Sequence, residues 1–255
     1  VIGDLAGFAA AVYMRGVAVV QVPTTLLAQV DAAIGGKTGI NHSSGKNLIG
    51  AFHQPRAVIA DTSTLTSLPA REYYAGLAEV VKYGLLGDAK FFSFLEQQQQ
   101  AIVTQDSEIL EKIIKTSAKI KATIVAADET EQSGQRALLN LGHTFAHAAE
   151  AVCGYGKWKH GEAVAFGLVA AAKLSEKICD FAASDTARIK DLLTALKLPT
   201  HAPKNVTAGQ LLTAMGLDKK NVTGGKRFIL MRGIGDAFMG EADNASVLQI
   251  LGSMQ

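Results

Sequence analysis

His143 and His147 stand four residues apart, with Glu150 three further on, and on a helix that spacing gathers side chains on one face. Paired imidazoles of this kind hold metal ions in some helices and merely make a polar face in others. His160 lies beyond a Gly154-Tyr155-Gly156 segment that can fold it back toward His143. Glu79, within Ala78-Glu79-Val80-Val81-Lys82, would complete a three-ligand set that leaves positions open for a substrate. Taken alone, Glu79 and Lys82 are an ordinary exposed i, i+3 pair. A second group, Gly35-Gly36-Lys37-Thr38-Gly39, has the small residues and the lysine of a phosphate-cradling loop, although its glycine spacing is not that of a P-loop. Lys37, Lys46 and Asn47 can meet an anion there, or decorate a flexible surface loop. Thr24 and Thr25, after Pro23, suit a ligand crevice or a plain helix cap equally.

These groups need elements to position them. Val17–Val22 is a β-branched run fit for a buried strand, and Ala57–Ala60 resembles a second. Between them lie a helix-like stretch, Leu26–Ile34, and the Gly-rich loop, so the order strand, helix, strand predicts a βαβ unit with a parallel sheet. Prolines 23, 55 and 69 fall early, 199 and 203 late, and none lies between. That middle has helical composition and predicts helices over Asp88–Gln100, Glu108–Ala127, Arg136–Val152, Gly161–Cys179 and Thr186–Leu196. Its run of four glutamines reads as a solvated face. Thr207 with Gln210 forms a capping box for a helix to Met215, with Gly216 at its exit. Arg227–Met231 and Ala237–Gly240, joined through Gly233 and Gly235, predict a hairpin, and Asn244 caps a last helix. The fold class expected is α/β plus α.

A chain of 255 residues makes one large domain or two small ones. With 48% apolar and 19% charged residues it has ample core and too little charge for disorder. A net charge of +2 calls for neither nucleic acid nor membrane as partner. The longest apolar runs, Leu5–Met14 and Ala163–Ala172, are about half of the roughly 18 residues a spanning helix needs. Two cysteines, Cys153 and Cys179, cannot make a disulfide framework, which predicts a soluble protein of the cytoplasm. The chain opens on Val1 without an initiator Met, inside what reads as a Gly-containing turn, Val1-Ile2-Gly3-Asp4, and so is expected to lack its N-terminal part.

Val1–Asp4, PTTLLAQVD (Pro23–Asp31), GGKTG (Gly35–Gly39), GKN (Gly45–Asn47), GLAEVVKYG (Gly76–Gly84), LLNLGHTFAHAAE (Leu138–Glu150) and HGEAV (His160–Val164) occur in order over nearly the whole chain. Together they resemble the 3-dehydroquinate synthase family. The resemblance implies that residues 1–68 are the remainder of an NAD-binding α/β domain, the C-terminal part of a parallel-sheet dinucleotide-binding fold, and that 69–255 form a mostly helical domain for metal and substrate. It implies Glu79, His143 and His160 as ligands of zinc or cobalt, and Asp4, Thr24, Thr25, Lys37, Lys46, Thr64, Leu65, Thr66 and Ser67 as NAD contacts. Catalytic positions would be Asp31, Lys82, Arg136, Asn140 and His147; Arg15, Lys37, Asn47, Lys121 and Lys226 would bind substrate, with Arg15 reaching the neighbouring subunit of a homodimer. The implied reaction turns 3-deoxy-D-arabino-heptulosonate 7-phosphate into 3-dehydroquinate and phosphate, a step toward aromatic amino acids. Other sugar-phosphate cyclases, such as 2-deoxy-scyllo-inosose or valiolone synthases, would share the fold, metal and NAD. Asn140 within LLNLGHT and Arg136, suited to a carboxylate, favour the first. A non-catalytic nucleotide- or metal-binding fragment would have no physical need of Glu79, His143, His160, Lys82 and Lys37 together.

Overall fold

In the computed structural model, which describes residues 1–42, 45–154, 156–216 and 225–255, the side chains of 45–47 excepted, the chain begins with α1 (Ile2–Val12) and β1 (Val20–Gln21). A helical turn over Ala28–Ala32 leads to β2 (Lys37–His42), β3 (Gly45–Phe52) and β4 (Ala57–Val58). Helices α2 (Ala70–Gly87), α3 (Ala89–Gln97), α4 (Gln99–Val103) and α5 (Ser107–Ala127) follow, then α6 (His143–Cys153), α7 (His160–Ile178), α8 (Ala183–Ala195) and α9 (Ala208–Ala214). The hairpin β5 (Gly225–Gly233) and β6 (Asp236–Asp243) precedes α10 (Asn244–Gly252). No helix among the described residues is long and apolar enough to cross a membrane. The chain divides into two compact units, Val1–Gly76 with Ser107–Arg136, and Leu77–Asp106 with Ala137–Gln255.

In the first unit β1 pairs in parallel with β4, Val20 opposite Ala57 and Gln21 opposite Val58, as a βαβ connection requires. The strand is shorter and wetter than Val17–Val22 promised. Val20 is 50% and Val22 60% exposed, because a two-residue pair covers neither face. Residues 1–4 are not a turn: Gly3 lies within α1, where the alanines and Leu5 outvote two glycines. Nor is Lys37–Gly39 a loop. It is the start of β2, antiparallel to β3 with Gly39 opposite Gly50. Two facing glycines let these backbones close, since a Cβ on Gly50 would lie 2.2 Å from the Thr38 carbonyl oxygen. Helix α5 packs on the Ala28–Ala32 turn. It buries Leu110, Ile113, Ile114, Ser117, Lys121 and Val125, the i, i+3, i+4, i+7 stripe of an amphipathic helix.

The second unit is built around α7, apolar on nearly every side and buried from Ala163 to Ala172. It packs against α6, α8, β5 and α10. Ser175 pins the hairpin to it by accepting the Met231 N–H at 2.9 Å while donating to the Ala171 carbonyl at 2.8 Å. The helix expected over Arg136–Val152 is broken. A 3-10 turn, Arg136–Asn140, stops at Gly142, whose φ of +77° then opens α6. The helix expected over Asp88–Gln100 is also split at Gln98; Asp88 caps its first part through the Phe91 N–H at 2.9 Å. The Thr207–Gln210 capping box, the Gly216 exit at φ +72° and the hairpin are as the sequence implies. Asp243, not Asn244, caps α10, because its carboxylate reaches the Ser246 N–H at 2.7 Å.

The crossing of α6 and α7 positions the histidines, and it depends on two glycines. A Cβ on Gly167 would sit 2.2 Å from the Gly142 carbonyl oxygen. Gly167→Ala must therefore push the helices apart, at a cost of about 1–3 kcal/mol for overpacking. Thermal unfolding should show the midpoint falling by several degrees; an unchanged midpoint would mean that the crossing is not the tight contact described.

Candidate metal centre

Glu79 is wholly buried on α2, with Leu77, Val80 and Val81 beside it also at 0% exposure. A carboxylate stripped of water costs several kcal/mol unless charges or donors replace its hydration. Here Oε2 meets the ammonium of Lys82, one turn on and itself buried, so the pair is not the exposed one that its spacing suggests. Oε1 faces His160 Nε2 at 3.3 Å and His143 Nε2 at 3.6 Å. One ligand atom from each of Glu79, His143 and His160 lies within 4.8 Å of the others. His147, exposed on the next turn of α6, sets its ring edge-on to His143 at 5.5 Å between centroids and lies 6.4 Å from that of His160.

Both imidazoles are already oriented. His143 Nδ1 lies 3.1 Å from the Leu141 carbonyl oxygen, which fixes its proton there and leaves Nε2 as the free lone pair. Burial, reinforced by the Lys82 charge, pulls the His143 pKa down to about 4, so the ring is neutral at pH 7. Burial also pulls on His160, but Glu150 and Glu79 outweigh it and raise that ring to about 9. Two imidazole nitrogens and a buried carboxylate oxygen converging on one point suit a divalent ion such as zinc or cobalt. The residues fit the metal.

The first unit holds a different set. Lys121 donates to Asp31 twice, to Oδ1 at 2.8 Å and to its carbonyl at 2.7 Å. Arg136 is buried, donating to the carbonyls of Glu129 at 2.6 Å and Gly35 at 2.7 Å, while its Nε is buried without a hydrogen-bond partner. Lys37 is half exposed and paired with Glu131 at 2.7 Å. Asp4, Thr24 and Thr25 line a cavity of about 510 Å³ with Gly3, Gln21 and Ala28. Thr25 Oγ1 also accepts the Ala28 N–H at 3.2 Å, so it caps as well as lines. Thr64–Ser67 form a 3-10 turn with Leu65 buried, and the Thr64, Thr66 and Ser67 hydroxyls are turned onto their own turn's carbonyls. Gln29 ties that turn to the crevice by donating to the carbonyls of Pro23 at 3.2 Å and Asp61 at 3.0 Å.

Arg15 is exposed with φ +65°. Asn140 is exposed at the end of its 3-10 turn. Lys226 donates to the Met215 carbonyl. The side chains of Lys46 and Asn47 lie outside the described residues. A larger cavity of about 690 Å³, along Trp158, Pro199, His201 and Lys204, contains none of the sequence-derived site residues. Sequence reasoning missed Asp128. Its carboxylate accepts the N–H groups of Gln132 at 2.7 Å, Ser133 at 3.0 Å and Arg136 at 3.1 Å, and so shapes the loop that carries Arg136. The signal was an acid just before the turn-forming Ser133-Gly134.

Residues 1–75 match the family 3-dehydroquinate synthase N-terminal, and residues 76–221 the family 3-dehydroquinate synthase C-terminal. The chain is 56% identical over 252 residues to a 3-dehydroquinate synthase of Acidithiobacillus ferrooxidans, matching 98% of this chain and 69% of that one. Among solved structures it is similar to 2-epi-5-epi-valiolone synthase from Streptomyces hygroscopicus with NAD⁺ and Zn²⁺ bound, at a TM-score of 0.88, 28% identity, and coverage of 98% of this chain and 70% of that one. It is equally similar, at a TM-score of 0.88, to 2-deoxy-scyllo-inosose synthase complexed with carbaglucose-6-phosphate, NAD⁺ and Co²⁺, with 27% identity over 99% of this chain and 71% of that one.

Asp128 makes a pH-dependent prediction. Burial works to raise its pKa, but the N–H donors of Arg136, Ser133 and Gln132 prevail and lower it to about 2 from the usual 3.8. A depressed carboxylate contributes stability above its unfolded pKa and loses it as pH falls through the folded value. Asp128→Asn should therefore be less stable than wild type at pH 7, with the gap closing between pH 4 and pH 2. Urea midpoints across that range check it; a gap constant with pH sinks the idea.

Proposed function

The chain belongs to the 3-dehydroquinate synthase family, and on that premise we propose that it converts 3-deoxy-D-arabino-heptulosonate 7-phosphate to 3-dehydroquinate and phosphate. The observation that carries this proposal is the cluster of Glu79, His143 and His160 around one buried carboxylate, with Lys82 held on the same carboxylate. Bound at those three ligands, a zinc or cobalt ion would supply Lewis acidity toward a substrate hydroxyl, while NAD⁺ would take up a hydride and later return it.

The chain's own groups do the rest. Lys82 sets its ammonium against the buried carboxylate of Glu79 and so replaces part of the hydration that the carboxylate lacks. His147, exposed beside His143, is assigned to take and return a proton. Asn140 orients a hydroxyl. Asp31 with Lys121 and the buried Arg136 form the fixed polar wall of the first unit, with the cations serving the substrate carboxylate. A phosphate dianion needs several cations, for which Arg15, Lys37 and Lys226 with Asn47 are assigned; the phosphate would take Lys37 from Glu131. Asp4, Thr24, Thr25, Lys46 and the Thr64–Ser67 turn are assigned to NAD. Residues 1–68 would thus serve the cofactor and 69–255 mainly the metal and substrate. Identity favours this substrate over those of the cyclases seen in the solved structures, 56% against 28% and 27%. Two cysteines without a disulfide suit the cytoplasm.

Phosphate release tests the proposal. The heptulosonate phosphate should be consumed with NAD present, a chelator should stop it, and added Zn²⁺ or Co²⁺ should restore it. His143→Ala should lose both metal and turnover. Equal turnover of glucose 6-phosphate would instead assign the inosose reaction.

Arg15, exposed in the first unit, is assigned to the neighbouring subunit of a homodimer. Mixing Arg15→Ala chains with Lys82→Ala chains should then recover part of the activity, since a mixed dimer contains one site with both groups intact. Two dimeric, well-mixed, inactive variants that stay inactive together would count against shared sites.

A further inference from the structure

We propose that Glu150 is a positioning residue of the metal centre, holding the imidazole of His160 through Nδ1 so that Nε2 faces the metal. This rests on Glu79, His143 and His160 being the metal ligands. The starting point is an asymmetry between the two histidines. Each must present Nε2 to the centre, because that is the nitrogen nearest Glu79 Oε1 in both, at 3.6 Å for His143 and 3.3 Å for His160. A ring that ligates through Nε2 carries its proton on Nδ1, and an acceptor for that N–H fixes the ring's orientation. His143 finds one in the backbone, the Leu141 carbonyl at 3.1 Å. His160 is the first residue of α7, and the group that faces its Nδ1 is a side chain, Glu150 Oε1 at 3.6 Å. That is ion-pair distance; the contact becomes a hydrogen bond with a small closure of the two groups.

The placement of Glu150 supports the same role. It is 7% exposed on α6, among the buried Ala146, Ala148 and Ala149. A carboxylate among alanines is costly to bury unless it engages a positive or donating group. It stands seven residues after His143, two helical turns on, and so on the same face. One helix therefore offers a ligand from its first turn and a support for the second ligand from its last. The carboxylates agree: Glu79 and Glu150 against Lys82 leave one negative charge beside the two imidazoles, a setting that favours a divalent cation. A carboxylate behind a ligating imidazole also strengthens it as a donor.

The test measures metal affinity directly. Zn²⁺ dissociation constants are taken by competition with a chromophoric chelator for the wild-type chain, Glu150→Gln and Glu150→Leu, and visible spectra are recorded with Co²⁺. Removing the charge but keeping an acceptor, Glu150→Gln should weaken Zn²⁺ binding about 10-fold, and Glu150→Leu about 100-fold. The Co²⁺ bands should move in both, and the helical circular dichroism of each metal-free variant should stay as in wild type. Should Glu150→Leu fail to fold, Glu150→Gln decides. Affinities within twofold of wild type and unmoved Co²⁺ bands overturn the proposal, as does a loss of affinity that tracks loss of helix in the metal-free chain. Were wild type to take up no Zn²⁺ while remaining folded, the ligand assignment itself would fall, and with it this proposal; a failure confined to Glu150 leaves the three ligands standing.

Discussion

The second unit is organised by one electrostatic constraint, a carboxylate with no access to water. Glu79 lies among fully buried Leu77, Val80 and Val81, and nothing apolar can replace its hydration. Lys82 neutralises it from one side, at the cost of burying an ammonium as well. If charge balance were all that mattered, that pair would be enough. Two imidazole nitrogens turned to the other oxygen, at 3.3 and 3.6 Å, make a centre that is complete only with a cation present. The pKa directions fit that picture: His143 is kept neutral by burial, and His160 is kept charged by its carboxylates until a metal ion competes for the ring.

Holding these donors in register is a packing problem, and the helix crossing solves it with glycine. Gly142 breaks the chain between a 3-10 turn and α6, and Gly167 lets α7 pass against that break at backbone distance. Any side chain at the crossing would separate His143 from His160. The apolar girth of α7 then fixes its axis, because α6, α8, β5 and α10 all bury against it. Donors fixed by such packing are held close to the positions a metal ion would require.

Polar groups in the first unit are committed to one another in the same way. Lys121 holds Asp31, Lys37 holds Glu131, and Arg136 spans two carbonyls in a loop shaped by Asp128. Such pairing sets the orientation of long cationic side chains, at the cost of their rotamer freedom.

By itself the sequence determined the helical middle, the parallel pair around a helical turn, the capping box at Thr207, the hairpin through Gly235 and the motif set that marks the family. It also put His143 and His147 on one face with Glu150 beyond them. All of these depend on residues within a turn or two of each other, where propensity and spacing act directly. Tertiary structure alone decided that Glu79 and Lys82 are buried, that Glu150 faces His160, that Lys37 begins a strand, and that a helix expected over Arg136–Val152 breaks at Gly142. It also chose the partners of Lys121 and Lys37 and gave Asp128 its three donors. The physical reason is that desolvation, ion pairing and close backbone approach are properties of what packs around a residue, and residues distant along the chain supply that surrounding.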